Sequence, residues 1–123
     1  MTPVPPKFAV CPSAALAEGK HLKVNLVFEG REVECLICRF DGETYAYLNR
    51  CVHMPRPLDC EQPIIFDETG RYLRCSMHGI VYTPATGTSV SAMCEGQQLK
   101  AVGLYEENGE LGIADFRVSA THL

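Results

Sequence analysis

Two short stretches hold the residues best suited to chemistry, Cys51-Val52-His53 and Cys75-Ser76-Met77-His78-Gly79. Thiolate sulfur and imidazole nitrogen are the natural ligands of zinc and iron. Each stretch carries one Cys and one His close together, so two loops can supply a four-ligand site. A Cys2His2 zinc finger groups both cysteines in one clamp and both histidines in another, with the histidines on a helix. Here each clamp has one of each and no helical pattern follows, an order that suits a binuclear centre better. The chain has no Ser/His/Asp set with suggestive spacing and no Gly-rich phosphate loop.

Ligand loops need strands to position them, and the sequence reads as short strands separated by turn signals. After a proline-rich, extended lead-in over residues 1–7, residues 8–11 are expected to form a strand stopped by Pro12. Ser13 is expected to cap a short helical turn through Leu16, with Gly19 ending it. In 22–28, Leu22, Val24, Leu26 and Phe28 alternate with Lys23 and Asn25, the pattern of a half-buried strand. Glu29-Gly30-Arg31 is a turn, and 32–40 completes a hairpin. Asp41-Gly42 turns again into a strand over 44–48. A compact hairpin is predicted over 64–74, a short strand over 80–82, and a last hairpin of 99–105 and 110–116 around Asn108-Gly109. Residues 117–123 are left as a tail. The class is all-β, built of antiparallel hairpins.

Composition narrows the setting. The chain has 123 residues, the size of one domain. Its formal net charge of −4 argues against a nucleic-acid partner, which needs a basic face. No apolar run approaches a membrane span, and the N-terminus does not read as a signal peptide. Seven cysteines cannot all pair within the chain, and their spacing is not that of a secreted disulfide framework. A reducing compartment, the cytoplasm, is the expected location. Cys35-x-x-Cys38 lies inside a predicted strand, where positions three apart face opposite ways, so two separate small apolar residues are expected there. Cys11 is read as core or edge. Cys60 and Cys94 could meet or stay free. His21 and His122 are read as solvated, and Glu106, Glu107 and Glu110 as a solvated hairpin tip rather than a docking surface.

The pair of boxes, Cys51-x-His53 and Cys75-x-x-His78-Gly79, resembles that of the Rieske iron–sulfur family, in which two histidines replace two cysteines on one iron of a [2Fe–2S] centre. Pro57-Leu58-Asp59, Tyr82, Gly87 and the 99–113 hairpin also fit, so the resemblance covers roughly residues 8–116. It implies a Rieske-like fold of antiparallel sheets with a cluster-binding part at about 50–97. It implies that Cys51 and Cys75 bind one iron and His53 and His78 the other. The segment 91–97 would form a third loop covering the cluster.

Departures from the family pattern bear on the potential. Twenty-one residues separate His53 from Cys75, more than is usual, and the surplus falls in the 64–74 hairpin. High-potential relatives carry a disulfide where this chain has Arg56 and Met77, and a serine donor where it has Ile80. Tyr82 stands where the family has a tyrosine that donates to a cysteine sulfur. Hydrogen bonds to cluster sulfurs raise the potential, so a low value is expected. The implied function is a one-electron carrier, ferredoxin-like and not itself an enzyme, between a flavoprotein reductase and a terminal oxygenase docking near His53 and His78. A small subunit of a larger redox enzyme, similar to that of nitrite reductase, is the first alternative. A zinc-stabilised interaction module is the second.

Overall fold

The computed structural model describes residues 3–50, 58, 65–75, 80–91 and 96–122. Among the described residues nine strands run in chain order: β1 (Lys7–Pro12), β2 (His21–Phe28), β3 (Arg31–Phe40), β4 (Glu43–Leu48), β5 (Leu73–Arg74), β6 (Val81–Tyr82), β7 (Leu104–Glu107), β8 (Glu110–Ala114) and β9 (Val118–His122). All the strand pairs are antiparallel, and the described residues contain one 3₁₀ turn, Ser13–Ala15, but no α-helix. None of them forms a helix long and apolar enough to cross a membrane. The chain divides into two compact units, residues 1–46 with 102–123, and residues 47–101.

In the first unit, three hairpin turns share one backbone geometry. Glu29 and Gly30 have φ of 51° and 80°, Asp41 and Gly42 of 53° and 82°, and Asn108 and Gly109 of 52° and 75°. Two successive positive φ angles make a type I′ turn, whose twist matches that of the flanking strands. Glutamate is an unusual occupant of this conformation. At Glu29 the backbone is held by its own N–H, which donates to Arg117 O at 2.7 Å. The Asp41-Gly42 turn is held by the Glu18 carboxylate, which accepts both backbone N–H groups at 2.6 and 2.9 Å.

Strands β4-β3-β2-β9 form one sheet and β1-β8-β7 another. Alternation in β2 works as expected, since Val24, Leu26 and Phe28 are buried. Strand β3 departs from it, because Cys35, Leu36, Ile37 and Cys38 are buried in succession, so both faces of that strand are covered. Cys35 and Cys38 are both free thiols, and burial, the main cause, pushes each up to about 12. Both act as small apolar residues.

Four expectations need correction. Residues 118–122 are not a tail but β9, which pairs with β2 at Leu26↔Thr121 and buries Val118. His122 therefore lies in a strand. Ser13 does not cap the 3₁₀ turn; its hydroxyl bonds the Glu106 carboxylate. The strand expected from residue 99 starts only at Leu104, because the preceding Gly103 N–H donates to Asp115 Oδ2 at 2.9 Å. Glu106, Glu107 and Glu110 are exposed, as expected, and each also has a polar partner. Glu106 meets Arg39 Nη2 at 2.6 Å, Glu107 meets Lys7 Nζ at 2.7 Å, and Glu110 accepts the Tyr105 hydroxyl at 2.7 Å. His21 is half-buried rather than solvated.

The second unit is a narrow meander. Phe66 bridges Leu73, Leu73 pairs with Tyr82, and Tyr82 bridges Ser89, giving one row across four chain passes. Leu73, Tyr82 and Ser89 are all buried. The 64–74 hairpin is present where described. Asp67 N–H donates to Tyr72 O at 2.9 Å, and Arg74 N–H donates to Ile65 O at 2.7 Å. Ile65 is fully buried, so this segment contributes to the packing of its unit.

Candidate metal centre

The second box begins at Cys75, directly after β5. Arg74 pairs with Val81 across the β5–β6 ladder, and Cys75 N–H then donates to Ile80 O at 2.8 Å. Cys75 and Ile80 thus form the neck of the loop, and both are buried. Behind this neck Tyr82 is completely buried, paired with Leu73. Of the expected ligands, Cys75 is placed; Cys51, His53 and His78 lie outside the described residues, as do Met77, Arg56, Cys60 and Cys94.

The first box is bracketed in the same way. Arg50 N–H donates to Leu48 O at 2.8 Å, turning the chain just after β4. Leu58, fully buried, closes the loop by donating its N–H to Asn49 Oδ1 at 2.7 Å. A third loop springs from the same meander. Val90 N–H donates to Val81 O and Val81 N–H donates to Ser91 Oγ, both at 2.9 Å. Its return limb is fixed by Ser89 N–H to Gln97 O at 2.7 Å and Gly96 N–H to Ser89 O at 3.1 Å. Each of the three loops is therefore pinned at its base by hydrogen bonds to residues of one unit.

Two further residues shape this unit. The Tyr47 hydroxyl donates to Pro84 O, and the Tyr47 ring packs where a side chain on Gly87 would stand. A Cβ on Gly87 would come within 2.7 Å of Tyr47 Cε1, and its φ of +70° also favours glycine. Tyr47, Asn49, Ser89 and Ser91 were not singled out from the sequence. Asn49 carried the one available signal, a polar side chain with capping habits two residues before a ligand box.

The donor chemistry fits an iron–sulfur cluster. A thiolate at the position of Cys75, withdrawn from water, needs a compensating positive charge, which ferric or ferrous iron supplies. Two thiolates and two imidazoles are the ligand set of a Rieske centre.

An antiparallel β protein whose sequence carries two Cys/His boxes is what a Rieske protein requires. The chain belongs to the Rieske [2Fe-2S] domain family, which it matches over residues 6–106, and its cofactor is a Rieske-type [2Fe–2S] cluster. Among solved structures it is similar to a chain in the complex of reduced oxygenase and oxidized ferredoxin in carbazole 1,9a-dioxygenase, with TM-score 0.71 and 24% identity over 92% of this chain and 95% of that one. It is also similar to a chain in the reduced complex between oxygenase and ferredoxin of carbazole 1,9a-dioxygenase, with TM-score 0.70 and 25% identity over 88% of this chain. A third likeness is to the terminal oxygenase of carbazole 1,9a-dioxygenase from Novosphingobium sp. KA1, with TM-score 0.72 and 23% identity over 89% of this chain. This chain spans 28% and 29% of the latter two. These likenesses carry the fold. No curated protein matches the chain.

Proposed function

We propose that the protein is a one-electron carrier that accepts electrons from a flavoprotein reductase and delivers them to a terminal oxygenase, without catalysing a reaction on a substrate itself. The family match over residues 6–106 carries this reading. Further support comes from the chain of comparable length, spanned to 95%, in a complex that pairs an oxygenase with a ferredoxin. The cluster-binding part is assigned to about 50–97 within a domain of 8–116. Among the described residues no disulfide joins Cys11, Cys35 or Cys38, which accords with a reducing compartment such as the cytoplasm.

When bound, the [2Fe–2S] cluster supplies reversible transfer of a single electron. The ligands assigned to it are Cys51 and Cys75 on one iron and His53 and His78 on the other. The neck from Cys75 to Ile80 holds the second box in register. Ile80 offers no hydroxyl to the site, Tyr82 is the side chain assigned to tune it, and Met77 stands within the second box. The imidazoles of His53 and His78 can each hold or release a proton at the ring nitrogen not bound to iron. The redox partners are assigned to the surface around these two histidines.

Anaerobic purification with metal and sulfide analysis tests the site. Two irons and two acid-labile sulfides per chain are expected; stoichiometric zinc would overturn it. Stopped-flow reduction by a flavoprotein reductase, then re-oxidation by an oxygenase, tests the carrier role. A permanent one-to-one complex with a larger redox enzyme would instead favour the subunit reading.

A further inference from the structure

The geometry points to Tyr47 and Asn49 as positioning residues that hold both ligand boxes to one short stretch of chain. This rests on the ligand assignment above. Asn49 is 8% exposed and its Oδ1 accepts the N–H of Leu58, itself 0% exposed. The residues between these two anchors include Cys51 and His53. Two residues earlier, the buried Tyr47 donates its hydroxyl to Pro84 O. Pro84 follows β6, the strand whose other end continues into Ile80 and the neck of the Cys75 loop. The Tyr47 ring also packs directly against Gly87. The stretch carrying both residues is itself fixed, by the Tyr47↔Ala101 bridge and by Leu48 N–H donating to Lys100 O at 2.9 Å.

The physical consequence concerns ligand escape. A cluster held by two boxes is lost when either box swings away, because the remaining ligands cannot complete the irons' coordination. Removing the Asn49 acceptor leaves a buried Leu58 N–H unsatisfied, which favours opening of the first loop. Removing the Tyr47 hydroxyl takes away one of the bonds holding the turn after β6, beside Thr83 N–H to Thr88 O and Gly87 N–H to Thr83 O, and so loosens the second box. Neither residue need touch a ligand to act.

The test follows loss of visible absorbance when the holoprotein is challenged with a ferrous chelator, together with the electron paramagnetic resonance spectrum of the reduced state. Asn49→Leu, which keeps the side-chain size but lacks an acceptor, is expected to release iron about tenfold faster than wild type. Asn49→Asp keeps an acceptor for the Leu58 N–H and is expected to restore a near wild-type rate. Tyr47→Phe, a loss of one atom, is expected to accelerate release while the spectrum stays of the Rieske type. Release at the wild-type rate in both Asn49→Leu and Tyr47→Phe would overturn the proposal, and so would an Asn49→Asp as fast as Asn49→Leu. If Asn49→Leu fails to accumulate, Tyr47→Phe decides. Cys51→Ser in the same assay separates the two readings. Retention of the Rieske spectrum there would remove the ligand assignment and this proposal with it. Loss of it, with unchanged release in the Asn49 and Tyr47 variants, would remove this proposal alone.

Discussion

Asp115 accepts the Gly103 N–H at 2.9 Å, the Arg117 N–H at 2.8 Å, and the Arg117 guanidinium at 3.0 Å through Nε and 2.8 Å through Nη2. Its side chain is largely buried, and Arg117 in turn stacks on Phe28. These donors, Arg117 first, hold the Asp115 carboxyl down at about 2, below its ordinary 3.8. A lowered folded value contributes stability that is complete above the unfolded value and is lost as pH falls from about 4 toward 2. The contribution is about 2 kcal/mol at neutral pH. Asp115→Asn is therefore expected to lower the urea midpoint at pH 7 and to narrow its gap from wild type as pH falls through that window. Tyr82 and Ile80 support a second prediction. Tyr82→Phe is expected to lower the reduction potential and Ile80→Ser to raise it, measured by protein-film voltammetry, with wild type near the lower end of a range of about −150 to +300 mV. At this scale the two Cys/His boxes stand out in the sequence because residue type and spacing are local signals. The bonds from Leu58 N–H to Asn49 and from Gly103 N–H to Asp115 do not, since each depends on where a backbone N–H nine or twelve residues away comes to rest.

Strands show a similar division. Strong turn pairs such as Asp41-Gly42 and Asn108-Gly109 marked their hairpins directly, because few residues accept two positive φ angles in succession. Strand β9 was hidden. Its sequence, Val118-Ser119-Ala120-Thr121-His122, has weak alternation, and it is strand only because the edge of β2 accepts it. Deleting residues 118–123 is expected to lower the unfolding free energy by about 2 kcal/mol or more, from the loss of the buried Val118 and the uncovering of the β2 edge. Amide exchange along β2 reports it. Strand β3, buried on both faces, makes a different prediction. With their thiols at about 12, Cys35 and Cys38 carry about one part in ten thousand thiolate at pH 8. Both are expected to resist iodoacetamide in the folded protein and to react once it is unfolded, as peptide mapping can show.

At the scale of the whole chain, the two units differ in how they are built. Residues 1–46 and 102–123 have long strands and a continuous set of buried side chains, among them Leu26, Phe28, Ile37, Leu111 and Ile113. Residues 47–101 rely on strands of two residues, single bridges and loop-base hydrogen bonds. A bound cluster is expected to supply a larger share of the stability of the second unit than of the first. Removing iron should therefore raise amide exchange in 65–101 while β2 and β3 stay protected. Uniform loss of protection would show that the two units unfold together.

The Val102 N–H donates to Ala46 O at 2.9 Å. The chain thus leaves the first unit and returns to it one hydrogen bond away, and everything from Tyr47 to Ala101 is spliced between two adjacent points. In engineering language, residues 47–101 are an insert between two neighbouring positions of the first unit. An Asn-Gly turn joining Ala46 to Val102 should give a colourless, metal-free β protein whose strands fold without the insert. The same junction is then a port into which a different metal-binding or recognition loop can be grafted.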